Sequence, residues 1–411
     1  MKLRHLVPLA FAAMMMAPSA SADMRPIEGF SAERLQNIAP AMKREVDKGT
    51  MPGAVALIAR NGRVVHFEAY GFLDAAKTQP MPKDAVFRAF SMTKPLVSVA
   101  AMALVEQGLM GLRDRIATWI PEMKDMKVYA EESAVAADRA ITVQDLLRHT
   151  SGLTYSSSSP VRAVKEAYEK NDVESVESDV SPEEFVKRLG QIPLVYQPGT
   201  RWEYGLSVDV LGVVVERVSG KRLDHFIDEL IFKPLKMKDT SFQLQPGQNA
   251  RLADAFDSDP QKTRLWKMVR VEEDPGKRYR LGGAAAVTTA EDYFRFAQMI
   301  LNKGELDGTR ILSRKTVEYM LSDHIPGLAG SPTASTGPGY GFGLGFAVRK
   351  QDGFSFIPGS TGDAMWAGAG GTVFTVDPKE KIVGVFMSAA PSTRSHTRFL
   401  FKNLIYGALV E

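Results

Sequence analysis

The strand-forming segments of this chain lie near its two ends, and that arrangement constrains the fold most. Ala54 to Ala59 and Val64 to Tyr70 are β-rich runs around Arg60-Asn61-Gly62-Arg63. An Asn-Gly pair between such runs predicts a tight hairpin. Tyr340 to Val348, Gly371 to Val376 and Ile382 to Ser388 are again short, apolar and separated by turn residues. The middle reads as helix and loop. It holds Pro95 to about Glu106, a helix from Ile141 capped by Thr142, and Val208 to Val218 ended by Gly220. Thr288-Thr289-Ala290-Glu291 offers a capping box for a helix through Leu301. Ser156 to Ser181, rich in Ser, Glu and Lys with little apolar periodicity, reads as a mobile surface segment. His396 to Leu409 reads as a closing helix. Strands at both ends with helices between predict an α+β fold. One α/β lobe with an antiparallel sheet takes residues 23–110 and 285–411, and a mainly helical lobe, residues 111–284, is inserted between them.

With 411 residues, 45% of them hydrophobic, the chain has ample material for a large core. Its 51 basic and 48 acidic residues nearly cancel, which gives no reason to expect a nucleic-acid partner. Residues 1–22 have the form of a secretory signal. Lys2 and Arg4 open it, Leu6 to Met16 is apolar, and Ala20-Ser21-Ala22 predicts cleavage after Ala22. The apolar stretch is too short to span a bilayer, so no stable membrane anchor is expected. A periplasmic or secreted location follows. No cysteine occurs, which excludes disulfides, thiol nucleophiles and zinc-thiolate sites. The six histidines form no metal-ligand spacing, and no Gly-x-Ser-x-Gly elbow is present. No metal or organic cofactor is expected. Oligomeric state cannot be read from the chain.

The chemistry-bearing segment is Ser91-Met92-Thr93-Lys94, directly before the apolar helix that opens at Pro95. Residues three apart share one side of a helix, so the amine can reach the hydroxyl. Ser-x-x-Lys is a known arrangement for acyl transfer through a serine ester. Ser91 as a helix N-cap would place backbone N–H groups, its own included, beside a forming oxyanion. Lys94 must give up its proton to act as base, and desolvation or a nearby cation would ease that loss. Taken alone, the tetrapeptide is better read as a capping serine and a solvated lysine.

Two further segments carry candidate groups. Tyr204 follows the loop signature Tyr196-Gln197-Pro198-Gly199, and a phenol near an ammonium ion can pass a proton to a leaving group. Trp366-Ala367-Gly368-Ala369-Gly370-Gly371 precedes a strand, and glycines there let the backbone approach a substrate. The N–H of Ala369 is the candidate second oxyanion donor. The plainer alternatives are a packed tyrosine and an ordinary glycine-rich turn.

Together these parts resemble the class C β-lactamase-like serine hydrolases. Ser91-x-x-Lys94, the run from Ile141 to Leu153 containing Arg148-His149-Thr150-Ser151-Gly152, Tyr204, Leu211-Gly212, the run from Phe232 to Thr240 and Trp366-Ala367-Gly368 occur in that family's order. Within it the chain is most similar to the esterases usually called family VIII, which share the penicillin-binding-protein fold. The resemblance implies a β-lactamase/transpeptidase-like fold. It implies Ser91 as nucleophile, Lys94 as its base, Tyr204 as proton shuttle, and a structural His149. Two departures bear on substrate. Leu206 stands where the β-lactamase pattern has the asparagine of Tyr-x-Asn, and leucine neither donates nor accepts a hydrogen bond. Trp366 stands where that pattern has the lysine of Lys-Thr-Gly. Both departures favour a neutral, apolar ester over an anionic lactam. The expectation is therefore a serine carboxylesterase acting on small ester or lactam substrates. A β-lactamase, a D-alanyl-D-alanine carboxypeptidase and a non-catalytic sensor of cell-wall fragments remain as alternatives.

Overall fold

The fold is described from a computed structural model, covering residues 27–174, 180–269, 271 and 282–411. The segment read as a secretory signal lies outside the described residues. Strand β1, Gly53–Arg60, turns through Asn61 and Gly62 into β2, Arg63–Gly71. Arg60 pairs with Arg63, and both turn residues have positive φ, 52° and 78°. Two left-handed residues in succession are what a tight right-twisted hairpin needs, and Asn-Gly supplies them at little cost.

The remaining sheet strands come from the far end of the chain: β3 Tyr340–Phe342, β4 Ala347–Arg349, β5 Ala364–Ala367, β6 Val373–Asp377 and β7 Ile382–Ser388. The strand order is β2-β1-β7-β6-β5-β4-β3, and every neighbouring pair is antiparallel. The ends of the chain meet where β1 lies along β7, from Ala54 opposite Ser388 to Arg60 opposite Ile382. A sheet interior with both faces covered reads as continuous apolar sequence. β1 and β7 do so, and nearly all their residues are buried.

The main helices are α1 Ile38–Asp47, α2 Thr93–Glu106, α3 Val143–Leu147, α4 Ser207–Ser219, α5 Ala290–Leu301 and α6 Arg394–Ala408. α1, α5 and α6 pack on the sheet, while α4 packs against α2 and α3. Phe386 of β7 stacks on Phe401 of α6, with ring centroids 5.2 Å apart. One residue out of phase, Val385 pairs with Phe374 of β6, whose ring meets Tyr293 of α5 at 5.0 Å. Side chains alternate across a strand, so α5 and α6 lie on opposite faces. α2 packs against α4 and buries every residue from Thr93 to Leu104. It is a core helix, and only its last residues, Val105 and Glu106, reach a surface.

Four sequence expectations need correction. Tyr340 to Val348 is a hairpin rather than one strand. Gly343 sits where a Cβ would come within 2.1 Å of the Met320 carbonyl oxygen, and Gly345 turns with φ 93°. β5 was not anticipated, because the glycines after Ala367 mask the short apolar strand before them. The helix cap expected at Thr288 is Thr289, which accepts from the N–H of Asp292. The segment from Ser156 to Ser181 is largely helical, not a bare loop. Arg162–Lys170 forms a helix that buries Val164 and Tyr168, an i, i+4 pair. Ser181 then caps Pro182–Leu189. Residues 175–179 lie outside the described residues.

The β3–β5 edge is clamped to α6 by a buried ionic cluster. Asp363 accepts from Arg349 Nε at 2.7 Å, Lys402 Nζ at 3.0 Å and Tyr340 Oη at 2.7 Å. Lys402 also donates to Tyr340 Oη at 2.9 Å. A carboxylate in contact offsets much of the cost of desolvating a cation. Asp363 immediately precedes β5, so the clamp sets where Trp366 and the following glycines lie. Asp363→Ala leaves two buried cations without that partner and is expected to cost about 3–5 kcal/mol. Urea unfolding checks this, and a loss below about 1 kcal/mol contradicts the clamp.

Candidate active site

Ser91 lies in a single 3₁₀ turn, Phe90–Met92, that leads into α2. It is therefore not the N-cap expected from sequence; that position falls to Met92. Ser91 is half-buried, while the residues after it are buried. Phe90, directly before it, has φ 47°, a left-handed conformation that costs a non-glycine residue of order 1 kcal/mol or more. The surroundings hold it there. The Ala89 N–H donates to the Ala286 carbonyl at 2.8 Å, the Ala286 N–H donates to Thr93 Oγ1 at 3.1 Å, and Tyr293 Oη donates to the Met92 carbonyl at 2.8 Å. α5 and the segment before it thus fix the turn that presents Ser91.

Lys94 is 1% exposed. Its Nζ donates to Ser91 Oγ at 3.3 Å, Tyr155 Oη at 3.0 Å and the Gly283 carbonyl at 2.8 Å. Three donors meet three acceptors, which satisfies a buried ammonium group in full. The Gly283 N–H in turn donates to Asp209 Oδ1 at 3.0 Å. Gly283 must be glycine, because a Cβ would come within 2.4 Å of the Asp209 carboxylate. Burial pushes the Asp209 carboxyl up, and the charge of Lys94 opposes that rise.

The Tyr204 ring lies 4.9 Å from Lys94 Nζ, and its hydroxyl is buried with no hydrogen-bond partner among the described residues. Aromatic neighbours grip the ring: His149 at 4.8 Å, Trp366 at 5.3 Å and Tyr155 at 5.6 Å between centroids. His149 is fully buried, and burial, reinforced by the charge of Lys94, drives its imidazole well below its ordinary pKa. It is a neutral packing ring. Its loop is held by Asp145, the capping-box partner of Thr142, which also binds Arg139 and Thr150. Leu206 is buried at the start of α4, and Trp366 is buried in β5. Neither offers much open surface, and Trp366 supports the Tyr204 ring.

The turn from Gly368 to Thr372 packs directly on the Ser91 turn. A Cβ on Gly368 would come within 2.3 Å of the Ala89 carbonyl oxygen, and one on Gly370 within 2.6 Å of the Phe90 ring. Thr372 Oγ1 donates to the Ala89 carbonyl at 3.3 Å. Glycine allows this approach, which brings the turn containing Ala369 against the segment that leads into Ser91. Ala369 is partly exposed, as a donor facing substrate must be.

Tyr155 is the functional group that sequence reasoning missed. It follows Gly152-Leu153-Thr154, inside a segment whose serines suggest a loop. The backbone of Thr154 rests against Gly205, where a Cβ would approach within 2.3 Å. That contact brings the two tyrosines together. Burial, with the Asp209 carboxylate adding to it, raises the Tyr155 phenol well above its ordinary pKa, so it stays protonated. Its neighbour Ser156 is anchored by Glu174, which accepts from Ser156 Oγ at 2.8 Å.

The Beta-lactamase family profile matches residues 36–403. Esterase EstB of Burkholderia gladioli is 30% identical over 79% of this chain and 82% of its own. Lovastatin esterase of Penicillium rubens is 30% identical over 83% of this chain and 89% of its own. Among solved structures, EstCE1, a hydrolase with promiscuous acyltransferase activity, superposes with a TM-score of 0.76 at 27% identity. That match covers 92% of this chain and 98% of EstCE1. With its antiparallel sheet and flanking helices, this chain belongs to the Beta-lactamase family and is a serine hydrolase.

Proposed function

We propose that this protein hydrolyses short-chain carboxylic esters through an acyl-enzyme on Ser91. The observation that carries this reading is the buried Lys94 amine within hydrogen-bond reach of the half-exposed Ser91 hydroxyl. Ser91 Oγ attacks the ester carbonyl, and Lys94, in its neutral amine form, takes the proton that Ser91 loses. The N–H groups of Ser91 and Ala369 stabilise the tetrahedral oxyanion. Tyr204, whose hydroxyl is otherwise unpartnered, gives the alcohol its proton. Water then cleaves the acyl-enzyme by the reverse proton path. Tyr155 contacts Lys94 and keeps the amine directed at Ser91. The similarity to named esterases supports ester substrates. The lack of an amide at Leu206 and of an ammonium at Trp366 argues against efficient binding of an anionic lactam. The signal-like residues 1–22 support action in the periplasm or outside the cell.

Loss of the nucleophile from a unit that acts together removes several orders of magnitude in rate. Ser91→Ala is expected to fold, with unchanged circular dichroism, and to show only background hydrolysis of p-nitrophenyl butyrate. Retained turnover refutes the assignment. Labelling by a fluorophosphonate should map to Ser91 at one per chain; an unlabelled, folded protein would instead favour a ligand sensor.

The two phenols are separable by kinetics. General acid catalysis is worth about 10²–10⁴-fold, so Tyr204→Phe should lose at least about 10²-fold in kcat while keeping its melting temperature. Tyr155→Phe should lose less, because Lys94 keeps two of its three acceptors. The opposite ranking transfers the proton-donor role to Tyr155. Nitrocefin or a D-Ala-D-Ala peptide turned over as fast as simple esters would show that Leu206 and Trp366 do not set specificity.

A further inference from the structure

Arg398 is a buried guanidinium that the chemistry described above does not use. It lies on α6, 6% exposed, and donates from Nη2 to the carbonyl oxygen of Gly368. No carboxylate among the described residues forms an ion pair with it, and its Nε–H is buried without a hydrogen-bond partner. Burial, and then the charge of Arg394, lowers its pKa to about 9. Holding a cation in this state is costly, and an apolar residue of similar length would avoid that cost.

Its position on the peptide chain explains the arrangement. The Gly368 carbonyl belongs to the same peptide unit as the Ala369 N–H, the second oxyanion donor of the proposed reaction. That carbonyl also accepts from the Gly371 N–H at 3.1 Å, while the Gly368 N–H donates to the Thr372 carbonyl at 2.9 Å. The turn is therefore closed on itself, and Arg398 grips it from the helix side. A cationic donor on a carbonyl draws electron density through the amide and strengthens its N–H as a donor. It also fixes the plane of that peptide and leaves a positive charge behind the place where negative charge develops.

We propose that Arg398 is a positioning residue for the oxyanion site, acting through the Gly368–Ala369 peptide. This rests on the acyl-enzyme reading, and it adds a group outside the substrate's reach that tunes the transition state. The effect must therefore fall on kcat, since an oxyanion exists only in the transition state and intermediate.

The test compares wild type, Arg398→Met, Arg398→Lys and Arg398→Gln, with Arg394→Met as a control for loss of a neighbouring cation. All are assayed on p-nitrophenyl butyrate, and each melting temperature is measured. Removing an oxyanion donor outright costs about 10²–10³-fold in kcat. Arg398→Met leaves the donor in place but unsupported, so a loss of about 10- to 100-fold is expected, with KM within about twofold. Arg398→Lys should recover part of the rate, Arg398→Gln less, and Arg394→Met should stay within about twofold of wild type. Should Arg398→Met not fold, the order Arg, Lys, Gln in kcat carries the test. Equal kcat across the folded variants, or a change confined to KM or melting temperature, overturns the proposal. An active wild type beside an unimpaired Arg398→Met defeats this inference alone. A wild type inert toward esters and unlabelled at Ser91 defeats the acyl-enzyme reading and this inference with it.

Discussion

The structure turns on how one primary amine is held out of water. Lys94 Nζ needs three acceptors, and they come from three separate stretches of chain: Ser91 one turn away, Tyr155 after the α3 loop, and Gly283 ahead of α5. An unmet donor at such depth costs about 1–3 kcal/mol, more if charged. Each stretch is therefore constrained to arrive at one point. The glycines at 205 and 283 follow from that demand, because each lies where a Cβ would strike backbone or carboxylate that must be close. The left-handed Phe90 has the same origin. Its strain is the consequence of presenting a hydroxyl outward from a helix whose next residues are all core.

Much of this could be read from residue order, and the failures have definite causes. The Asn61-Gly62 turn, the Gly220 helix stop and the Thr142 cap were legible because each is a local rule met by a local residue. Ser91 and Lys94 were legible because three residues apart is one helical turn. Tyr155 was not, since its importance lies in a contact with Lys94 sixty-one positions away. Nothing in Ser-rich surroundings marks one tyrosine out from another. The hairpin at Gly343 was hidden because an alternation of glycine and apolar residues fits a strand until the Met320 carbonyl claims the space. Arg398 carries no sequence signal of its own within the closing helix. Its burial depends on where α6 meets the turn after β5, which no periodicity reports.

The residues at the two departures from the lactamase pattern work differently from what their chemistry alone suggests. Trp366 and Leu206 remove an ammonium and an amide, yet both are buried. Trp366 meets Tyr204 at a tilt and Phe342 edge-on, within a cluster that also contains His149 and Trp202. Its first consequence is mechanical: the phenol is held in a stiff aromatic wall. The loss of polar recognition and the support of the Tyr204 ring are one substitution seen from two sides.

The electrostatic balance of the site follows from this packing. Carboxyls near the amine are pushed toward their neutral form, Asp209 and Glu174 by burial above all. His149 and Tyr155 are held neutral by the same loss of solvent. Set against these are the Lys94 nitrogen, in contact with the Ser91 hydroxyl, and the Arg398 guanidinium, behind the Gly368 carbonyl. Positive potential at such a place disfavours any additional cation and favours an anion that appears only transiently. In the proposed reaction a neutral ester carries no charge into such a site and develops one on its carbonyl oxygen as Ser91 bonds to it. On that proposal the field is matched to a species formed during the reaction, rather than to the substrate that enters.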